Sequence, residues 1–201
     1  MLRILHTVEF YHPHVGGAEI VVQRLSEGLA RKGHQVTVST TKLPERQSLE
    51  LNGVQIQEFD IGGSLALGFK GTDKERYLRF LSDFPCDVML NYAAQQWATD
   101  LAIRSLADVT RRANVIVPCG YSALTDDLLL RSPEYAKYFN KYLPQVLARY
   151  DAAIYHSAAY KDYRFALYHK LDNSVIIPNG IDEQEFSRAS AIDFRSKYDI
   201  S

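Results

Sequence analysis

Apolar positions recur along the chain at two alternating spacings. Leu2–Val8 is a short run of apolar and β-branched residues, suited to a buried strand. Glu9–Gly17 follows as a loop ending in paired glycines. Ala18, Val21, Val22, Leu25 and Leu29 then share one helical face, with Glu19, Gln23, Arg24, Glu27 and Arg31 opposite. Lys32 in the last turn and Gly33 beyond it supply a stop. Val36–Thr41 alternates apolar and polar residues as a second strand, so the unit is a right-handed βαβ crossover. Further on, the Asn52-Gly53 turn leads into a strand at Val54–Phe59, and strands are expected at Asp87–Tyr92, Val115–Pro118, Ala152–His156 and Val175–Pro178. Helices are expected at Lys74–Phe84, Gln95–Val109, Pro133 to about Tyr142 and Ala158–His169, with Pro144 kinking or restarting the third. Ile61–Thr72 holds four glycines and reads as a mobile surface loop. Strands that are apolar throughout and alternate with helices imply an α/β fold: a Rossmann-like open parallel sheet with helices on both faces.

Composition narrows the class. With 46% apolar and 23% charged residues in 201, the chain can bury a full core. Its 23 basic and 24 acidic residues argue against a general grip on nucleic acid. No apolar run is long enough to span a membrane, and the start lacks a small-residue cleavage site of the secretory kind. Two cysteines, Cys86 and Cys119, fit a reducing compartment, so a soluble cytoplasmic protein is expected.

Two stretches carry the sharpest chemistry. Gly16-Gly17-Ala18-Glu19 lies between the first strand and the first helix, at the carboxyl edge where ligands bind in open α/β sheets. Its bare glycines let a substrate approach the backbone, and the free amides of the first turn favour an anion. The dinucleotide fingerprint and the P-loop are both absent, which disfavours an NAD enzyme or an NTPase. Pro178-Asn179-Gly180 reads as a turn exposed at the sheet edge. His12 and His14 have no third ligand at a metal-binding spacing, and His6 reads as a hydrogen-bonded core histidine rather than a base. Asp126-Asp127 either presents carboxylates to ligand hydroxyls or solvates a loop. Gln95, Gln96 and Asp100 either read hydroxyls or cap a helix. Tyr135, Tyr138 and Tyr142 share a helical face, either as a packing stripe or as an aromatic groove for a ligand. Lys137, Lys141 and Arg149 on the same stretch suit peripheral contact with an anionic membrane.

Taken together, Tyr11-His-Pro-His-Val-Gly-Gly-Ala-Glu19 and the helix end Leu29-Ala-Arg-Lys-Gly-His34 before Val36 closely resemble the amino-terminal domain of retaining GT-B glycosyltransferases of the family-4 type. Ile177-Pro-Asn-Gly-Ile-Asp182 resembles that family's junction between its two Rossmann-like halves, and Ser157 matches a serine usual after the strand before it. The resemblance covers the whole chain. It implies an acceptor-side domain over residues 1–182, then a lead-in over 183–201 to a missing carboxyl-terminal donor-binding domain. It further implies a nucleotide-sugar donor, a sugar or lipid-linked acceptor and retained anomeric configuration, with no cofactor and no metal. Phe194–Ile200 is similar to the start of the second half, which would hold most donor contacts, including the family's paired glutamates. Many relatives carry a histidine where Cys119-Gly120 stand here, so no catalytic residue is carried over, and Cys119 reads as a buried inert thiol. The candidate donor- or acceptor-binding residues are Gly16, Gly17, Glu19, Cys119, Gly120, Ser157, Asn179 and Gly180. A non-catalytic binding or regulatory module of the same fold is the rival reading.

Overall fold

The computed structural model describes residues 1–106, 113–121, 124, 132–181 and 197–198. Of the expected features, Asp126-Asp127 and most of the 183–201 lead-in lie outside them.

Strand β1 (Arg3–Thr7) leads through the glycine loop to helix α1 (Gly17–Arg31) and strand β2 (Gln35–Thr41). A short β3 (Glu50–Leu51) and β4 (Val54–Phe59) follow, then β5 (Gly62–Ser64), β6 (Gly68–Lys70), α2 (Lys74–Asp83) and β7 (Val88–Tyr92). Helix α3 (Trp97–Ala102) runs into a 3₁₀ turn at Ile103–Ser105 and precedes β8 (Ala113–Val117). The remainder is α4 (Pro133–Lys137), a π turn (Tyr138–Tyr142), α5 (Leu143–Leu147), β9 (Ala152–Tyr155), α6 (Lys161–Tyr168) and β10 (Ser174–Ile176).

Eight strands form one sheet in the order β10-β9-β8-β7-β1-β2-β4-β3, parallel except for β3 against β4. Strands are added outward from β1 in one direction as far as β4, then on the other side from β7 to β10. The reversal opens a crevice between β1 and β7 at their carboxyl ends, where ligands bind in sheets of this kind. Alternate residues of β1 serve the two faces. Ile4 packs with Val22 of α1, while Leu5 packs with the α2, α3, α5 and α6 layer. That second layer centres on Phe59, Tyr77 and Trp97, with ring centroids 4.9 Å apart for both Phe59–Tyr77 and Tyr77–Trp97. The polar atoms of this centre are satisfied: Tyr77 Oη donates to the Ala98 carbonyl at 2.9 Å, and Trp97 Nε1 donates to Thr41 Oγ1 at 2.8 Å.

Several expectations change. Leu25, placed on the buried face, is 39% exposed, and its neighbour Ser26 is buried instead, accepting or donating at 2.7 Å with His6 Nδ1. A core histidine on β1 needed a polar partner, and that need overrode the apolar stripe. The glycine-rich stretch 61–72 is no loose loop: β5 and β6 pair antiparallel as a hairpin. The expected helix over 95–109 begins at Trp97 and is short and tightened. Pro144 does not break its helix, because the π turn widens the backbone just ahead of the missing N–H. No turn forms at Asn179-Gly180, which continues extended beyond β10.

The register of α1 is directly testable. Val22→Ala is expected to cost about 2 kcal/mol in urea unfolding, whereas Leu25→Gln stays within about 0.5 kcal/mol of the parent. Equal losses would contradict the observed face.

Candidate functional site

Residues at the ends of β1, β7 and β8 converge on the crevice. Gly16 stands at the N-cap of α1 with extended φ −159°, a conformation open to any residue. The Glu19 carboxylate folds back over it, and a Cβ there would displace the end of that flexible side chain. Gly17 differs, being exposed with nothing within 4 Å of a Cβ position. The open face at the start of α1 is therefore at Gly17, while Glu19 lies against its own helix start. His14 faces Glu19, Nδ1 to Oε1 3.7 Å, and stacks on Phe10 at 4.6 Å between centroids. The loop is held from behind by Arg46, whose side chain is 2% exposed. Its Nε donates to the His12 carbonyl at 2.7 Å, its Nη2 to the Tyr11 carbonyl at 3.1 Å, and its Nη1 pairs with Glu58.

The ends of β7 and β8 are strained. Ala93, Gln95 and Cys119 have φ of 65°, 63° and 59°, in the left-handed region that costs a non-glycine residue about 1–2 kcal/mol. Gly120 follows at φ 90°, its amide donating to the buried Asp162 Oδ2 at 3.1 Å. Cys119, expected to be buried, is exposed as a residue. Its sulfur nonetheless turns back towards the Tyr92 hydroxyl and the Ala93 backbone, and desolvation there pushes the thiol up to about 11. The ends of β7 and β9, on either side of β8, are coupled through Tyr92, whose hydroxyl lies 3.3 Å from His156 Nε2. His156 Nδ1 donates to the Ile177 carbonyl at 3.0 Å, which ties the Pro178-Asn179-Gly180 segment to the crevice. Ser157 Oγ accepts from the Ala159 amide at 3.2 Å, and Asn179 and Gly180 are exposed.

Beside the crevice lies a cavity of about 280 Å³, lined by Ser64–Ala66 of the hairpin, by Gln95 and Asp100, and by Glu134, Tyr135 and Tyr138. Asp100 is 8% exposed, and its Oδ2 accepts from the Leu65 amide at 2.7 Å. Burial pushes its carboxyl up to about 6, against that hydrogen bond. Gln96 lines no part of the cavity and does not cap α3 with its side chain; its amide donates to the Tyr92 and Ala93 carbonyls. Glu9 sits between the two regions: burial raises its pKa first, then repulsion from Glu19 and from Asp100, partly offset by His14. The rim is thus acidic, polar and walled by two tyrosines, a surface able to accept hydrogen bonds from hydroxyl groups and to stack on sugar rings.

Of the sequence candidates, the structure brings Gly16, Gly17, Glu19, Cys119 and Gly120 to the crevice. Ser157, Asn179 and Gly180 stand further along the same edge, at the ends of β9 and β10. Glu9, Tyr92 and His156 were not picked out from sequence; their common signal is the last position of a parallel strand, or the residues just beyond it. Among the described residues no group of three or more His, Cys, Asp or Glu side chains is placed to hold a metal ion. Likewise no helix there is long and apolar enough to cross a membrane.

A mostly parallel sheet whose strand order reverses at an open crevice matches the architecture of one Rossmann-like half of a GT-B glycosyltransferase. The model of Glycosyltransferase Family 4 matches residues 15–185, and the chain belongs to that family. Solved structures of the same fold include sucrose-phosphate synthase from Thermosynechococcus elongatus, with TM-score 0.66 and 14% identity over 100% of this chain and 53% of that one. A glycosyltransferase from Rickettsia africae superposes with TM-score 0.63 at 12% identity, over 100% of this chain and 50% of its own. The catalytic domain of starch synthase IV from Arabidopsis thaliana, bound to ADP and acarbose, has TM-score 0.59 and 14% identity over 94% and 54%. An uncharacterized 42.6 kDa protein in the cps region of Klebsiella pneumoniae is 46% identical over 57 residues, 27% of this chain and 15% of that protein. The chain spans about half the length of these solved structures and a smaller share of the Klebsiella protein.

Two buried groups give the site a signed pH signature. His6 is held neutral by desolvation, its pKa lowered from 6.5 to about 4. The unfolded chain therefore binds the extra proton between those values, and this stability falls as pH drops from 6.5 to 4. Asp100 is raised from 3.8 to about 6, so the folded chain binds the extra proton and stability rises as pH drops through 6. Each effect is on the order of 3 kcal/mol and the two oppose. Asp100→Asn should therefore make unfolding midpoints fall steeply from pH 6.5 to 4, and His6→Asn should make them rise over that window. Two variants that track the parent would show that neither group is perturbed.

Proposed function

We propose that the chain is the acceptor-side half of a glycosyltransferase that moves a sugar from a nucleotide-diphosphate donor to an acceptor hydroxyl with retained anomeric configuration. The observation that carries this reading is the crevice itself. One wall is the uncovered backbone at Gly17, and the other is the cavity of Gln95, Asp100, Tyr135 and Tyr138. Family membership supports sugar transfer, and the ADP and acarbose of the starch synthase that shares the fold are the kinds of product and glycan the reading requires. In the reaction the acceptor oxygen bonds to the anomeric carbon as the bond to the diphosphate breaks, and the hydroxyl proton leaves with the diphosphate. The chain's tasks are to bind the acceptor, to read its hydroxyls through Asp100 and Gln95, and to leave the donor room at Gly17. Cys119, Gly120, Ser157, Asn179 and Gly180 line the remaining edge of the same cleft. A donor-binding half following residues 1–182 completes it, and transfer needs no divalent metal and no cofactor.

Gly17→Val tests the first wall. The added side chain meets nothing in the fold, so the unfolding midpoint is expected to stay put, while transfer by the complete protein falls by about 100-fold or more. Parental turnover in the folded variant would overturn the assignment. Metal independence is tested with the complete protein in excess chelator, where activity is expected to persist. Activity that disappears there and returns with magnesium or manganese would refute it.

A further inference from the structure

We propose that the cavity beside the crevice seats the terminal ring of the acceptor and admits only a sugar without an anionic group, with Asp100 as the discriminating residue. The inference rests on the acceptor-side reading and names the charge class of its substrate. Asp100 is 8% exposed, and its Oδ2 accepts from the Leu65 amide at 2.7 Å. Its Oδ1 takes no hydrogen bond from any described residue, yet it is not among the polar atoms sealed in without a partner. The carboxyl therefore shows the cavity an acceptor that nothing in the fold satisfies. Buried polar groups are normally bonded, and a ligand that brings a donor supplies the missing bond.

The surroundings say which donor fits. Among the described residues lining the cavity none is basic, and Glu134 adds a second carboxylate at the rim. Burial raises the Asp100 carboxyl, and only the Leu65 amide opposes that shift. Arg104 and Arg149 act on Tyr142 and do not reach Asp100. A carboxylate or phosphate on the ligand would meet two like charges in a partly desolvated space, where repulsion is strong. A hydroxyl instead meets a charge-assisted acceptor. Tyr135 and Tyr138 offer faces for a sugar ring, and the Tyr138 hydroxyl stands against the Gln95 side chain at the cavity edge. At about 280 Å³ the space lies just below the ~300–1,000 Å³ of pockets for drug-sized ligands. It holds one ring and not a chain of them.

The test uses the full-length protein above pH 7, where Asp100 is ionised, and three matched pairs of methyl glycosides. Glucoside is set against glucuronide, galactoside against galacturonide and mannoside against mannuronide, so that each pair differs only in a hydroxymethyl or a carboxylate. Saturation-transfer NMR titrations are expected to show the neutral member of at least one pair bound about tenfold or more tightly than its acidic partner. Asp100→Asn should bring that ratio close to unity, and Glu134→Gln should move it the same way by less, with cooperative unfolding retained in both. Asp100→Asn that weakens both members of a pair equally would give Asp100 a structural role only and overturn the proposal. So would acidic members bound as tightly as their neutral partners, or no pair bound at all. Sugar transfer to uronide-ended acceptors as readily as to neutral ones also overturns it and leaves the acceptor-side reading intact. Asp100-dependent binding of neutral glycosides that never receive a sugar from a panel of nucleotide-sugar donors refutes that reading instead, with the charge selection still standing.

Discussion

Asn91 lies fully buried on β7 beside β1, at the pair of strands where the direction of strand addition reverses, and its amide is satisfied from both sides. Its Nδ2 donates to Thr7 Oγ1 at 2.6 Å, and its Oδ1 accepts from the Tyr150 hydroxyl at 2.8 Å. A buried amide left without partners costs roughly 1–3 kcal/mol or more, so these bonds fix β1 against β7 and hold the turn after α5 beneath them. The crevice opens immediately beyond this brace. A slip of one residue between β1 and β7 would orphan the amide and move Glu9 and Ala93 relative to each other. The relative placement of both walls thus depends on the polar contacts that Asn91 makes at this strand pair.

Beyond the brace the chain stores strain instead of relieving it. Ala93, Gln95 and Cys119 take left-handed backbone where glycine would be easier, and two of them hold Gln95 at the cavity and the Cys119 thiol against Tyr92. Backbone strain of this sort persists only where the surroundings over-determine it. Here the bonds from the Ala93 and Ala94 amides to the Val117 and Pro118 carbonyls, 2.9 and 3.0 Å, do so. On the other wall Arg46 plays the matching part, a buried guanidinium that gathers the carbonyls of Tyr11, His12 and Thr41. At both strand ends polar groups behind the loop hold its backbone, alongside the apolar packing of Val8 and Tyr11.

The sheet and most helices were legible because they rest on periodicity, which is local. Strand and helix spacing fixed the order of elements, and paired glycines ahead of α1 marked the carboxyl edge. What escaped reading depended on partners distant in sequence. Ser26 displaced Leu25 from the core because His6, twenty residues away, needed a hydrogen bond. The glycines of 61–72 looked like slack, yet Gly63 and Gly71 each face a carbonyl, of Gly68 and of Asp60, that leaves no room for a Cβ. Nothing local distinguishes Tyr92 or His156, whose contact joins residues 64 apart. The cavity is likewise assembled from three separate segments, and the raised pKa of Asp100 comes from its burial in the fold, against the Leu65 amide that lowers it.

Electrostatics gives the division of labour between the halves a physical basis. Glu9, Glu19 and Asp100 face a shared space, and the carboxyls of Glu9 and Asp100 are already harder to ionise than in water. For Asp100 the shift to about 6 corresponds to roughly 3 kcal/mol against its charged form. Carboxyls that are already hard to ionise make this wall unfavourable for further negative charge, and Glu19 lies over Gly16 while Gly17 beside it stays open. Hydroxyl groups meet the opposite situation, since partly desolvated carboxyls are strong acceptors and, when protonated, donors as well. On the proposed reading the cations that neutralise the donor must come from the facing half, and cleft closure brings them to an acceptor already seated. The acidity of this half then keeps the diphosphate from binding on the acceptor's side of the cleft, so that each substrate enters from the wall built for it.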